Sequence, residues 1–230
     1  GSNNLMPHKP KYGNEYVWDP RVIGRSIVTL GLWRRPWEVP VDMPYPSLGY
    51  FENETFDAGT WVPTYPNPAF ERCTPRDGYW GAKILLSFSD EDVAALVGTG
   101  QLTEPGAAEH LTELLVERRD MIARYWFARI NPVDHFRVDA DGLQFRDLAV
   151  DGGLEDAAST QYQIGWLTDG GDEIGNVATV RDDRTGFRHV SFSDLVDDAA
   201  TGAFHGQRMP GADNGHRYRG QVTGLDHQVG

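Results

Sequence analysis

The chain has 230 residues, of which 40% are hydrophobic and 24% are charged, as in ordinary globular proteins with one large or two small domains. Its 21 basic and 34 acidic residues give a net charge of −13. We therefore expect no nucleic-acid surface and no attraction to anionic membranes. The apolar runs are too short to cross a membrane, so we expect no membrane insertion. The single cysteine excludes an internal disulfide, and we expect no signal peptide within the sequence.

The composition changes at Asn131–Pro132. Eleven of the fourteen prolines lie within the first 75 residues, and six of the seven tryptophans lie within the first 126. Residues 133–230 are instead rich in Gly and Asp, and their 8 basic and 17 acidic residues give a charge of −9. We therefore predict two domains, at residues 1–132 and 133–230.

Residues 1–73 predict an ordered but irregular chain, because recurring prolines fix φ and remove backbone donors. Regular helix should not persist there, although residues 25–33 could form a short strand or a helical turn. The segment is rich in aromatic residues that are too apolar to leave in water: Trp33, Trp37, Tyr45, Tyr50, Phe51, Trp61, Tyr65 and Phe70. We expect it to wrap over a helical core with these rings as anchors. A ligand groove lined by aromatic rings is the alternative.

Three helices are predicted next. Thr74-Pro75-Arg76-Asp77 has the pattern of a capping box with proline at the first helical position, and Ser89-Asp90-Glu91-Asp92 repeats the cap with three acidic residues. Thr103-Glu104-Pro105 should open the longest helix, which runs to about Ile130 with apolar residues at helical spacing.

Residues 133–230 predict short β-strands. The alternating runs 136–139 and 143–146 flank Asp141-Gly142, which is a hairpin signal. Further alternating runs suggest a small antiparallel sandwich, with a possible last strand at 218–222. The predicted fold class is therefore α+β: a Trp/Pro-rich irregular segment wrapping a three-helix unit, followed by a small antiparallel β module with a histidine-containing tail.

Several segments of the chain resemble one group of large, uncharacterised, exported bacterial proteins of acidobacterial and gemmatimonad type. The resemblance covers residues 13–135 well and the β region only loosely. It rests on these segments: Gly13-Asn-Glu-Tyr16, Thr29-Leu-Gly-Leu-Trp-Arg-Arg-Pro-Trp37, Tyr45-Pro-Ser-Leu-Gly-Tyr-Phe-Glu52, Tyr65-Pro-Asn-Pro-Ala-Phe70, Ser87-Phe-Ser-Asp-Glu-Asp92, and Glu117-Arg-Arg-Asp120 through Asn131-Pro132. In that group, the upstream half looks like a protein-kinase-like or HipA-like phosphotransferase, and this chain is similar to the C-terminal part.

The resemblance implies a non-catalytic role. The sequence contains no glycine-rich GxGxxG loop, no His-Arg-Asp and no Asp-Phe-Gly, so the phosphotransfer residues of a kinase-like parent would lie upstream. We therefore expect a C-terminal scaffold and interaction segment of a larger kinase-like exported protein, in the periplasm or secreted. Its expected partner is the upstream kinase-like region, and the acidic, aromatic-rich surface also leaves room for a homodimer.

A stand-alone metal-dependent hydrolase is the alternative function. Three of the seven histidines lie in the last 26 residues, with aspartates nearby. His205, His216 and Asp226 are the first-choice ligands for zinc or a similar divalent metal, because imidazole and carboxylate suit such ions. That site would hydrolyse an ester, a lactone or a phosphoester. A polar tail without metal is the ordinary explanation of the same residues.

Weaker patterns leave further alternatives open. Asp134, Asp139 and Asp141 could bind Ca²⁺ or Mg²⁺, but a hairpin turn accounts for the same residues. Cys73 precedes a helix start and could be a nucleophile, although a lone buried cysteine is commoner. Glu113 and Glu117 share a helix face, where solvent exposure is the ordinary reason. A carbohydrate- or peptide-binding module using exposed aromatic rings is the third candidate function.

Overall fold

The computed structural model of the chain divides into two compact units, Gly1–Tyr125 and Trp126–Gly230, called here the helical unit and the β unit. The predicted boundary after Pro132 lies within the segment between the last long helix and the first strand. The structure describes residues 13–35, 37, 44–49, 51–165, 177–181 and 185–191 with their side chains, and the backbone alone for 166–167, 173–176, 203–209 and 218–222.

The described residues of the helical unit form five α-helices, of which the last continues into the β unit. They are α1 (Pro20–Val28), α2 (Pro68–Glu71), α3 (Pro75–Leu86), α4 (Asp90–Gly98) and α5 (Ala107–Phe127), with a 3₁₀ helix at Pro46–Leu48. Among the described residues, no helix combines the length and the apolar character that a membrane span requires.

Both predicted capping boxes are confirmed. Thr74 accepts the backbone N–H of Asp77 while the Asp77 carboxylate accepts that of Thr74, and Ser89 and Asp92 make the same reciprocal pair. The hydrogen bonds from Thr74 to the Asp77 carboxylate lower the pKa of that group. The longest helix begins at Ala107, slightly after the predicted start at Thr103–Pro105, and ends at Phe127 rather than Ile130.

The prediction that residues 1–73 contain no regular helix is wrong at α1. Asp19 accepts the backbone N–H groups of Arg21 and Val22, and Pro20 occupies the first helical position. Proline is compatible with a helix there, because the first N–H groups of a helix have no intrahelical partner. Pro20 and Pro68 therefore begin helices instead of interrupting them.

The β unit is an antiparallel two-sheet structure, as the sequence predicted. One sheet has the order β1-β2-β5 and the other β4-β3-β6-β7. A short helix, α6, and a 3₁₀ helix at Ala157–Ser159 lie between β2 and β3. The elements are β1 (Val133–Val138), β2 (Gly142–Asp147), α6 (Leu148–Asp151), β3 (Gln161–Leu167), β4 (Glu173–Arg181), β5 (Phe187–Ser191), β6 (Ala203–Met209) and β7 (Tyr218–Val222).

The core of the β unit lies between its two sheets. It consists of buried side chains from both of them: Leu143, Phe145, Tyr162, Ile164 and Val190. The rings of Phe145 and Tyr162 meet edge to face with centroids 5.1 Å apart. This packing confirms the predicted sandwich and the α+β class.

The predicted hairpin is the pairing of β1 with β2, but its glycine is needed for a different reason. Gly142 lacks a positive φ. A Cβ atom at this position would instead overlap the carbonyl oxygen of Val190 on β5. The close approach of the neighbouring strand therefore requires glycine here.

Candidate functional site

Described residues between 45 and 59 form a segment of the helical unit that runs alongside α5, in the same direction as the helix. Tyr45 lies against His110, with ring centroids 5.1 Å apart, near the start of α5. Asn53 contacts the middle of the helix, where its Nδ2 donates to the carbonyl of Leu114 at 2.9 Å. Near the end of the helical unit, Gly59 approaches Tyr125 so closely that a Cβ would overlap the ring.

Arg118 forms the centre of the contacts between this segment and α5. Its Nε donates to Oδ1 of Asn53 at 2.8 Å, and its Nη2 donates to the carbonyl oxygen of Glu52. The guanidinium lies 4.1 Å from the ring centroid of Phe51 and 4.4 Å from that of Phe56. We call these five residues the Arg118 cluster. Two aromatic faces and two oxygen acceptors match the planar, delocalised cation of arginine.

The charges around Arg118 offset part of the effect of its burial, and the pKa of the guanidinium stays below its ordinary value. Burial lowers the pKa of the Arg118 guanidinium, whereas the carboxylates of Glu52 and Glu117 raise it. Glu117 also accepts a hydrogen bond from Nδ2 of Asn53 at 2.7 Å. The amide of Asn53 is buried and hydrogen-bonds through both of its ends. Removing one side chain of this network should be costly, because it would leave a buried polar group without a hydrogen-bond partner.

Arg119, the next residue, connects α5 to the start of α4. Its Nη1 lies 2.9 Å from Oδ1 of Asp90 and donates to the carbonyl of Phe88 at 2.8 Å. Its Nη2 lies 2.8 Å from Oδ1 of Asp120. Burial lowers the pKa of Arg119, but its hydrogen bonds to Asp120 and Asp90 outweigh that effect and raise it.

A second set of contacts joins the beginning of the described chain to residues 61–64. Gly13 forms a β-bridge with Val62, and the N–H of Val17 donates to the carbonyl of Thr64 at 2.7 Å. Between them, the buried carboxylate of Glu15 lies 3.0 Å from Nε of Arg35. Described residues from five of the segments on which the resemblance rests, 13–16, 29–35, 45–49 with 51–52, 87–92 and 117–120, therefore contact other parts of the same unit.

The aromatic residues of the helical unit are less buried than core packing predicts. Trp61, Tyr65, Phe70 and Trp80 are all exposed. The rings of Trp61 and Phe70 lie 5.3 Å apart and form a surface pair. Core packing is therefore the wrong interpretation for these four residues, while Trp33, Trp37 and Phe51 are partly buried.

The β unit contains a buried polar network. Asp147, which is fully buried, accepts the N–H groups of Ala149 and Val150 with one carboxylate oxygen. Its other oxygen accepts the hydroxyl of Tyr162 at 2.8 Å. Arg188 is also fully buried and lies over the Tyr162 ring, 5.3 Å from its centroid. Asp147 thus caps α6 and anchors the core tyrosine, which is a structural role.

The predicted metal ligands lie largely outside the described residues. The backbone of His205 lies in β6, where it pairs with Gly165 of β3. The side chain of His205, and all of His216 and Asp226, lie outside the described residues. Zinc binding at these three residues therefore stays a prediction.

The Ca²⁺ or Mg²⁺ alternative at the β1–β2 hairpin has another explanation in the structure. Oδ1 of Asp139 accepts hydrogen bonds from the N–H groups of Asp141 and Gly142. Its Oδ2 accepts a hydrogen bond from Nε2 of Gln144. Asp134 accepts the N–H of His135. No three His, Cys, Asp or Glu side chains within the described part of the chain are grouped as a metal site requires. The Asp139 carboxylate therefore serves the turn.

The remaining sequence candidates are surface residues. Cys73 is exposed, so its interpretation as a buried cysteine is wrong; its Sγ lies 3.7 Å from the carbonyl of Thr74. Glu113 and Glu117 are both exposed, and Glu117 also accepts the hydrogen bond from Asn53 described above.

No protein-family model, curated protein or solved structure matches the chain. The resemblance to exported kinase-like proteins therefore stays a prediction.

The sequence interpretation missed two features. One is the Arg118 cluster, which joins residues more than 60 positions apart and left no local signal. The other is the exposed apolar surface of α1 and the turn after it. Asp19-Pro20 is a capping pattern that predicts this helix, and its apolar residues would then have been placed on a helical surface.

Proposed function

We propose that the chain is a non-catalytic scaffold and interaction segment of a larger, exported, kinase-like protein. One observation carries the proposal. Three charged residues in the segments that resemble that group bind other parts of the same unit: Arg118 binds the 51–56 segment, Arg119 binds the start of α4, and Glu15 binds Arg35. Side chains engaged in this way support the fold, which is the role expected of a scaffold.

Association with the upstream region in trans tests the proposal. The kinase-like region of a parent gene would be produced as a separate protein and mixed with this chain at micromolar concentration, since contacts between domains of one protein are often of modest strength. We expect a complex in light scattering that an unrelated kinase domain does not form. Absence of any association at these concentrations would contradict the proposal.

A carbohydrate- or peptide-binding module is the second candidate, and the exposed rings of Trp61 and Phe70 favour it. Exposed aromatic rings offer large contact areas at a low entropic cost. Titration with soluble polysaccharides and peptides should change tryptophan fluorescence, and Phe70→Ala should weaken the response. Trp80→Ala, at an exposed ring on α3, is the matched control. Equal effects of both substitutions would argue against a site at Trp61 and Phe70.

A further inference from the structure

Residues 17–35, called here the α1 segment, expose aliphatic side chains at successive positions. Ile27 is 68% exposed, Val28 84%, Leu30 89% and Leu32 85%. Trp18, at the other end of the segment, is also largely exposed. Single exposed apolar residues are ordinary, but a continuous group of them indicates an interaction surface.

The turn that presents these side chains is ordered and conformationally costly. Leu30 has a φ of 50° and Gly31 a φ of 79°. The N–H of Gly31 donates to the carbonyl of Ser26 at 2.8 Å, and the hydroxyl of Thr29 donates to the carbonyl of Arg25 at 2.8 Å. The left-handed backbone conformation is unfavourable for leucine. The exposed Leu30 side chain packs little against this chain, so packing within the chain does not offset that cost. A contact outside the chain would compensate that cost.

The charge of the α1 segment is opposite to that of the whole protein. Its four arginines and one aspartate give +3, whereas the chain carries −13, so the remaining residues carry −16. Arg35 is paired with Glu15. Arg21, Arg25 and Arg34 are exposed, and no carboxylate of the described residues forms an ion pair with them.

Helical spacing separates the basic and the apolar residues of α1 into two rows on different sides of the helix. Arg21 and Arg25 are four residues apart and share one row of α1, and Ile23 and Ile27 share another. Val22, between the two rows, is the buried residue of the helix. The exposed surface of α1 is therefore both aliphatic and basic, the pattern of helices that lie at a lipid–water interface.

The sign of the charge selects the partner. Symmetric pairing of two α1 segments would bring exposed arginines of like charge close to one another, which is unfavourable. An anionic partner instead complements them, and a fluid lipid surface accommodates protruding side chains without a matching groove. We propose that the α1 segment docks on the surface of a bilayer containing anionic lipid, with its aliphatic side chains at headgroup level and its arginines on lipid phosphates.

The net charge of −13 predicts no such attraction. However, that value averages over the whole chain and hides the positive charge of the α1 segment. Repulsion between the acidic remainder and the bilayer is screened beyond about 8 Å at physiological ionic strength. The proposal concerns attachment at the surface and involves no membrane-spanning element. It holds whether or not the chain belongs to a larger kinase-like protein.

Vesicle flotation tests the proposal directly. The whole chain is mixed with vesicles of equal parts phosphatidylcholine and phosphatidylglycerol, and with vesicles of phosphatidylcholine alone. We expect binding to the anionic vesicles that weakens as salt is added. The double variant Arg21→Gln/Arg25→Gln should bind about 30-fold more weakly, since each basic residue contributes about 1 kcal/mol near an anionic surface. Leu30→Ser/Leu32→Ser should also weaken binding at least about tenfold by removing apolar contact.

Two matched variants control for exposure and residue type. Arg72→Gln/Arg76→Gln removes two exposed arginines of the same unit, and Ile84→Ser/Leu96→Ser removes two exposed aliphatic residues. Both should bind as the unaltered chain does. Equal binding to both kinds of vesicle, equal losses in the controls, or no binding at all would overturn the proposal. Salt-sensitive binding to polyglutamate without binding to vesicles would overturn it in favour of an acidic protein partner.

Discussion

Replacing Arg118 by alanine should lower the free energy of unfolding of the helical unit by about 2–4 kcal/mol. The substitution removes the hydrogen bonds to Asn53 and to the Glu52 carbonyl. A hydrogen bond to a charged group contributes about 1.5–3 kcal/mol when buried. Each aromatic face of Phe51 and Phe56 adds about 0.5–2 kcal/mol. Arg118 is only partly buried, so solvent screening reduces this sum to the stated range.

Urea unfolding followed by tryptophan fluorescence measures this change, because five of the seven tryptophans lie in the helical unit. Arg124→Ala, at an exposed arginine of the same helix, is the matched control and should change stability by less than about 0.5 kcal/mol. Arg118→Lys should restore only part of the loss, since an ammonium group keeps the charge but lacks the planar fork.

Two results would contradict a stabilising role of the Arg118 cluster. If Arg118→Ala costs no more than Arg124→Ala, the cluster does not stabilise the unit and the case for a scaffold loses its main support. If Arg118→Lys restores full stability, charge alone accounts for the effect and the planar geometry between the two rings contributes nothing.

Three further predictions concern the β unit. Tyr162→Phe should cost about 1.5–3 kcal/mol in urea unfolding, because it removes a hydrogen bond to the buried Asp147 carboxylate, whereas Tyr65→Phe at an exposed ring should cost nothing measurable. Gly142→Ala should separate β2 from β5 and increase amide exchange in both strands, and unchanged exchange would count against the close approach of Val190. The N–H groups of Asp141 and Gly142 lower the pKa of Asp139 from its ordinary value of 3.8. Its contribution to stability is therefore present above that value and is lost as the pH falls through the lowered pKa. A carboxylate titration by NMR with a midpoint at or above 3.8 would contradict this.

Local signals in the sequence predicted most of the secondary structure. Thr74 and Ser89 were recognisable as helix caps because the groups that form a capping box lie within four consecutive residues. The alternation around the β1–β2 hairpin was equally local. α1 was missed because proline density outweighed the cap at Asp19 in the interpretation, although proline at the first helical position favours a helix.

The candidate surfaces could not be predicted in the same way, because they depend on contacts between distant residues. Arg118 and Asn53 are 65 positions apart, and nothing in the local sequence pairs them. The exposure of a side chain also depends on distant parts of the chain. From the sequence alone, the apolar residues of the α1 segment match a buried strand or helix equally well. Their exposure, and not their hydrophobicity, indicates an interaction surface.

We propose that this chain is a scaffold and not a hydrolase. The metal content of the purified protein, measured by inductively coupled plasma mass spectrometry, distinguishes these two functions. The same samples would be assayed for hydrolysis of an ester, a lactone and a phosphotriester before and after chelation. We predict no bound metal and no turnover. Near-stoichiometric metal, with turnover that chelation abolishes and His205→Ala or His216→Ala impairs, would contradict the claim.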